Sequence, residues 1–574
     1  MSFRPTTSAI EIRFVDKRSR SLAIVSKFQA IIYTDVSEGP CTAFSLGVRR
    51  NINNPREQTF AEVASTWILE CNSQHEDCWK GESSLPLRVI DVWPIHNCVS
   101  EVRLCLSKGA IGRYACLSYC WGNSLPLRTT EQTLEDMLKG FRYNSLPKTL
   151  QDAVTVTRRL GLQYLWVDAL CIIQDSKDDW DIQSSLMATI YQNAYVVISA
   201  DISMDYSEST IYWRDYNGET RCSGNFLRES FRPLSKRAWT FQEEVLATRI
   251  IHFGDNELFW ACKKGVSCEC MDTVFPNEEA STGRAMFKHC TESDNLTGRT
   301  TAWFDLVNEY TSREITNQSD RLAALSGVVD YISEFGENGR YLAGLWSTHL
   351  PHALLWKGQG AYTRRAIPSQ APTWSWACLE PSLEHENPKI THLEAPYDEV
   401  YYSHSIAKAS FIEVHDAQCT PDGRNPFGPA SNGRLKLTGP LVEVHLHRQL
   451  DPHHGYLLFM YPKKHYFGHL YWSALFDFDQ KELNDKPIFW LFFGATGLLD
   501  WFGNAPPGLE KMPSRFFGLI LMQSSEQDLT NGPKVYERVG RFGIDAYRTQ
   551  PNLYTCYQLL KVVDGSEHQT IVLV

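Results

Sequence analysis

The chain has no basic run longer than pairs such as Lys463-Lys464, although it holds 56 Lys and Arg against 67 Asp and Glu. With a net charge of −11 and an isoelectric point near 5.9, such scattered cations exclude a nucleic-acid groove and an anionic-membrane anchor. A small anionic ligand, which needs only one or two donors, stays open. Long apolar runs are also missing. The longest charge-free one, PIFWLFFGATGLL at 487–499, is shorter than the roughly 20 residues of a spanning helix, and its Pro and two Gly predict a strand pair. The opening MSFRPTTSAIEIRF lacks the apolar stretch of a secretory signal, and neither end carries a lipidation sequence. A soluble, cytoplasmic protein without a membrane span is therefore expected. There is no G-x-G-x-x-G, no P-loop and no internal repeat. Ser118 lacks the G-x-S-x-G elbow, which excludes an α/β-hydrolase.

What is present points to packed cores. The chain of 574 residues is 43% apolar and 12% aromatic, with 17 Trp, enough for several packing units and too apolar for a disordered polypeptide. Its 16 cysteines are diluted over a long chain without a secretory signal, so reduced, buried thiols are expected. Two clusters invite a metal reading: Cys71-x3-His75-x2-Cys78, and Cys262 with Cys268 and Cys270. Neither has paired C-x2-C spacing or an evident fourth ligand, so packing thiols and no metal site are expected.

Residues 1–55 form an irregular extension. A helix is expected from Thr59 to Cys71, then strands LPLRVIDVW and SEVRLCL, in a segment 56–113 that leads into the core. From 114 the pattern sharpens. YACLSYCWG is a strand. A helix opens at Ser145 and Pro147, carries Leu146, Leu150, Val154 and Leu160, and stops at Gly161. QYLWVDALCII is a buried strand, and 179–194 is a helix with Ile182, Leu186 and Ile190 on one line. YVVISA is a third strand. Strand and helix alternating at this spacing predict an α/β fold of βαβ units with a parallel sheet, whose strand ends form a ligand crevice. Ser118-Tyr119-Cys120-Trp121-Gly122, then Asp168, then Asp201, are the polar stations at that edge. Residues 201–235 read as a loop or lid, 237–247 as a helix, and RIIHF with ELFWAC as a hairpin. The core runs 114–270, a helical extension 271–380, and a β-rich C-terminal domain 381–574.

Polar residues on apolar helix faces are the candidates for chemistry. Gln183 shares a face with Met187, Ile190 and Ala194, while Gln242 and Glu243 lie between Trp239 and Leu246. A buried carboxylate needs a partner or a shifted pKa, so Glu243 is either paired to Arg237 or Arg249 or is a site acid. Asp168, at a strand end, is a ligand-binding carboxylate or a cap for the next loop. Cys171 has no base nearby in sequence and reads as a buried thiol rather than a nucleophile.

YACLSYCWG, LPKTLQDAVTVTRRLGLQYLWVDALCIIQD, DDWDIQSSLMATIYQNAYVVISA and RAWTFQEEVL, in that order, resemble the HET domain of the fungal heterokaryon incompatibility family. WILECNSQHEDC, LPLRVIDV, DRLAALSGV, YLAGLW and PTWSWA extend the resemblance over 60–380. It implies non-self recognition and programmed cell death when incompatible hyphae fuse, with an incompatible allelic product or other protein as partner. It also implies a TIR-like (Rossmann-like) core, a fold in which some members cleave NAD with a helical glutamate. Gln183 stands where many HET domains carry Glu, and Gln can neither act as a base nor stabilise a cationic centre by charge. Glu244 replaces a frequent Arg. On this resemblance the catalytic candidates are Glu243, Asp168 and Gln183. Ser118, Tyr119, Trp121, Gly122, Arg237, Trp239 and Gln242 would line a nucleotide-like site, with NAD as substrate or ligand. A biosynthetic-cluster enzyme or self-protection factor, and a non-enzymatic scaffold, are the alternatives.

Overall fold

The computed structural model describes residues 58–78, 81–94, 99–122, 127–201, 234–254, 258–268, 283–336, 338–356, 363–381, 411–451, 487–500, 511–525, 532–545 and 565–574, with shorter pieces between them. Most of the expected lid over 201–235 lies outside the described residues. Among those described, no helix is long and apolar enough to cross a membrane.

A mixed ten-stranded sheet organises the first half. Its strands are β1 (Arg88–Asp91), β2 (Glu101–Leu106), β3 (Tyr114–Ser118), β4 (Phe141–Arg142), β5 (Tyr164–Trp166), β6 (Val196–Ser199), β7 (Arg249–Phe253), β8 (Leu258–Cys262), β9 (Gly265–Cys268) and β10 (Phe275–Pro276). Their spatial order is β4-β2-β1-β5-β3-β6-β7-β8-β9-β10. The middle strands β5, β3, β6 and β7 run parallel, and the flanks are antiparallel. Every residue of β3, β6 and β7 is buried, which explains why they read as continuous apolar runs rather than alternating ones.

Helices α1 (Gln58–Gln74), α2 (Lys148–Arg159), α3 (Lys177–Asn193) and α4 (Ala238–Leu246) accompany this sheet. Between them, α2, α3 and α4 supply the crossovers β3–β5, β5–β6 and β6–β7. Helix α2 stops where predicted, at Gly161, whose φ of +71° is open to glycine without strain. Two expectations need correction. QYLWVDALCII is not one strand: β5 ends at Trp166, and Asp168–Cys171 is a short helix. A short buried apolar run gives no period by which to tell strand from helix. On α3, Ile182 and Leu186 are exposed, while Gln183, Met187, Ile190 and Tyr191 are buried. The buried line is thus the one that carries Gln183.

Helices α5 (Gly283–Glu292), α6 (Leu296–Thr311) and α7 (Ala323–Ser333) form the expected helical region. The C-terminal part is β-rich: β11 (Glu413–Thr420), β12 (Asn432–Asp451), β13 (Gly455–Pro462), β14 (Ser473–Phe476), β15 (Ile488–Asp500), β16 (Lys511–Gln523), β17 (Lys534–Asp545) and β18 (His568–Leu573). Pairing runs β12-β15-β16-β17-β18 and returns to β12, so this ladder closes on itself and leaves those strands no free edge. The apolar run at 487–499 falls in the single strand β15, with a register irregularity between Phe492 and Gly494, rather than in a strand pair. A β-bulge lets one glycine interrupt a strand without ending it.

Candidate functional site

The parallel strands β3, β6 and β7 each end on polar residues: Ser118, Ser199 followed by Asp201, and His252. These four side chains are buried and, together with Thr240 and Glu243 from α4, line a small pocket with about 30 Å³ of free space. It lies beyond the carboxyl ends of the parallel strands, where open α/β sheets place ligands.

Glu243 is the centre of this arrangement. Its carboxylate accepts a short hydrogen bond from the Ser118 hydroxyl. Burial pushes its carboxyl up to about 7, against the pull of the Ser118 hydrogen bond, and the nearby negative charge of Asp168 adds to the rise. A carboxyl with a pKa near 7 can give or take a proton at neutral pH. Beside it, Ser199 donates to Asp201 Oδ1 at 2.6 Å, and His252 Nδ1 lies 3.1 Å from Asp201 Oδ2. An imidazole oriented by a carboxylate thus sits across the pocket from a protonatable Glu.

A second polar group adjoins the first. Trp121 Nε1 donates to Asp168 Oδ2 at 2.8 Å, and the Ala169 amide donates to Asp168 Oδ1 at 2.7 Å. Burial raises the Asp168 carboxyl above its usual range, and these donors pull it down. Burial likewise pushes the Tyr119 hydroxyl well up. Arg237 Nη1 donates to the Tyr119 carbonyl at 2.8 Å, and its charge favours both ionised carboxylates. Asp168 is the first residue of the short helix after β5, with Val167 at its cap, and its carboxylate is held by Trp121 and the Ala169 amide.

Of the residues expected to form a site, Ser118 and Glu243 line the pocket, and Tyr119, Trp121, Asp168 and Arg237 form the group beside it. Gly122 follows with φ +73° and is exposed. The rest point elsewhere. Trp239 stacks edge-on against Trp180 and its Nε1 donates to Asp320 at 3.3 Å. Gln242 faces α7, where its Oε1 lies 2.9 Å from the position a Cβ on Gly327 would take. Gln183 and Gln242 are both buried, and neither Nε2 finds a hydrogen-bond partner among the described residues. Arg249 does not pair with Glu243: its guanidinium donates to Cys71 Sγ and the Tyr195 carbonyl, both at 3.3 Å. Glu244 also lines the pocket and is held by the buried Arg313 at 3.1 Å. Burial raises the Cys171 thiol to about 12, which makes it inert as a nucleophile.

Sequence reasoning missed Ser199, Thr240 and His252. His252 had a signal, since RIIHF is a buried strand with one titratable residue near its end, as YACLS and YVVISAD are buried strands with polar ends.

The stretch from Tyr114, where β3 begins, to Glu243 on α4 matches the family model described as heterokaryon incompatibility protein (HET). Residues 114–243 are a HET domain. This match is narrower than the resemblance over 60–380. The HET domain contains Ser118, Asp168, Asp201 and Glu243, while His252, on the next strand, lies just beyond it. No curated protein and no solved structure matches the chain.

Proposed function

We propose that the protein acts in heterokaryon incompatibility, and that its HET domain does so by binding a small, polar, nucleotide-like ligand in the pocket at the ends of β3, β6 and β7. The carrying observation is Glu243, a buried carboxyl near pKa 7 that lines this pocket and has no salt-bridge partner among the described residues. The free space at these strand ends is about 30 Å³, room for one small polar group of such a ligand at Glu243 rather than for the whole molecule. Ser118 orients the carboxyl, Asp201 holds the His252 ring, and Arg237 supplies the neighbouring positive charge. Glu243 takes the acid–base role that Gln183 cannot. The parallel order β5-β3-β6-β7 supports a TIR-like core, and with it NAD as the ligand to test first.

Expression in a fungal host tests the proposal. Wild-type protein is expected to arrest colony growth and trigger cell death, and Glu243→Gln or Ser118→Ala, at matched protein level, to restore growth. Normal growth at confirmed high wild-type expression overturns it. Incubating the purified chain with NAD then decides the chemistry, since nicotinamide release marks cleavage and saturable binding without release marks recognition.

A further inference from the structure

The two cysteine clusters that look incomplete in sequence meet in space. Cys71 lies in the last turn of α1, His75 follows the helix end, and Cys78 closes the 3-10 turn Glu76–Cys78. The chain returns to the same place at Cys262, the last residue of β8. Cys270 lies outside the described residues. One ligand atom from each of Cys71, His75, Cys78 and Cys262 lies within 4.8 Å of all the others. Cys262 Sγ and His75 Nδ1 are 3.5 Å apart.

We infer that Cys71, His75, Cys78 and Cys262 hold a structural zinc ion. A tetrahedral zinc with Zn–S near 2.3 Å and Zn–N near 2.0 Å has S···N edges of roughly 3.5 Å and S···S edges of about 3.8 Å. The spacing between the strand thiol and the imidazole already has this value, and any wider thiol pair closes by about 1 Å or less. Three soft thiolates and one imidazole at tetrahedral spacing favour zinc over hard cations, which take oxygen ligands. The three cysteines are free thiols, each 1% exposed or less. With four protein ligands, no position remains for a substrate, so the ion is structural rather than catalytic.

An independent observation asks for negative charge here. Arg249 is fully buried and donates to Cys71 Sγ at 3.3 Å, and among the described residues no carboxylate pairs with it. Beside neutral thiols this guanidinium would be an uncompensated buried charge. Three thiolates around a zinc ion leave a net charge of about −1, which Arg249 balances. The surroundings complete the cage. The backbone amides of Lys264 and Gly265 are directed at the Cys262 sulfur, Lys264 pairs with Asp77 at 2.6 Å, and Trp67 stacks on Trp260 at 6.1 Å. Binding releases the thiol protons to solvent and ties α1, which precedes the HET domain, to the hairpin that follows it.

The full-length chain, purified under reducing conditions with zinc supplied, is expected to retain about one zinc ion per chain by elemental analysis. Cobalt substituted for zinc is expected to show thiolate-to-metal charge transfer and the intense visible bands of a tetrahedral site. Cys78→Ser and Cys262→Ser drop the stoichiometry to background, while Cys105→Ser, outside the set, keeps it. Should either variant fail to fold, the cobalt spectrum of the wild type still decides. A metal-free chain after reconstitution, or bound cobalt with an octahedral, thiolate-free spectrum, overturns the inference.

Discussion

At the level of single residues, the site depends on one carboxyl kept protonated by its surroundings. Glu243 has a usual value of 4.5 and is raised to about 7 in the fold. Below pH 4.5 both folded and unfolded chains hold this proton, and the shift costs nothing. Between about 4.5 and 7 the unfolded chain ionises first, so stability falls as pH rises, by as much as roughly 3 kcal/mol once pH exceeds the folded value. Glu243→Gln keeps a group able to accept from Ser118 but removes the ionisation. The variant is expected to melt higher than wild type at pH 8 and to differ little from it at pH 5. Melting curves at the two pH values check this, and equal pH profiles would assign Glu243 an ordinary, solvated carboxyl. Such a trade of stability for a protonatable group is typical of functional sites. The candidacy of Glu243 was legible in sequence, because it falls on an apolar face of a short helix. Its partner was not. Arg237 and Arg249 were the natural candidates by proximity along the chain, whereas Ser118 lies on a different strand and meets Glu243 only through the sheet order.

At the level of elements, the alternation of strands and helices between 114 and 201 was readable because each strand is an apolar run bounded by polar residues. Periodicity failed where it had too little to work on. LWVDALCII divides into a strand and a short helix that bury equally well. On α3 two apolar lines overlap at Ile190, one with Ile182 and Leu186 and one with Gln183 and Met187, and the structure buries the second while Ile182 and Leu186 are exposed. Burial of Gln183 and Gln242 is set by close helix packing. A Cβ on Gly327 of α7 would stand 2.2 Å from the Ala188 Cβ of α3 and 2.9 Å from Gln242 Oε1 of α4. Gly327→Ala must therefore push these helices apart. We expect it to destabilise the protein by about 1–3 kcal/mol, as overpacking does, and to lower the denaturant midpoint without changing the slope. An unchanged midpoint would mean that the three helices have slack at this contact.

Across the whole molecule, one continuous core joins α4, α6 and α7 to the closed β ladder. Trp374 and Trp376 are fully buried in it, with Trp490 and Leu519 of the ladder. Arg538 on β17 reaches across to the carbonyls of Leu354 and Trp356, and the guanidinium lies over the Trp356 ring. The Thr373 amide donates to the carbonyl of Val574 at 3.1 Å. A chain truncated before residue 411 would strip the covering from this tryptophan-rich surface. It is expected to aggregate or bind a hydrophobic dye strongly, whereas the full chain does neither. A soluble, dye-silent truncation would show that the β-rich part is an independent appendage. That the C-terminal region is β-rich was legible in the sequence, but its closure and its shared core were not, since strand pairing between distant segments leaves no local pattern.

The measurement closest to the central claim is the titration of the Glu243 carboxyl, followed as the infrared difference between wild type and Glu243→Gln across pH 4 to 9. A protonated carboxyl band that persists at pH 6, disappears around pH 7 and changes when ligand is added is the predicted result. A carboxylate already ionised at pH 5 would contradict it, leaving the pocket without its acid.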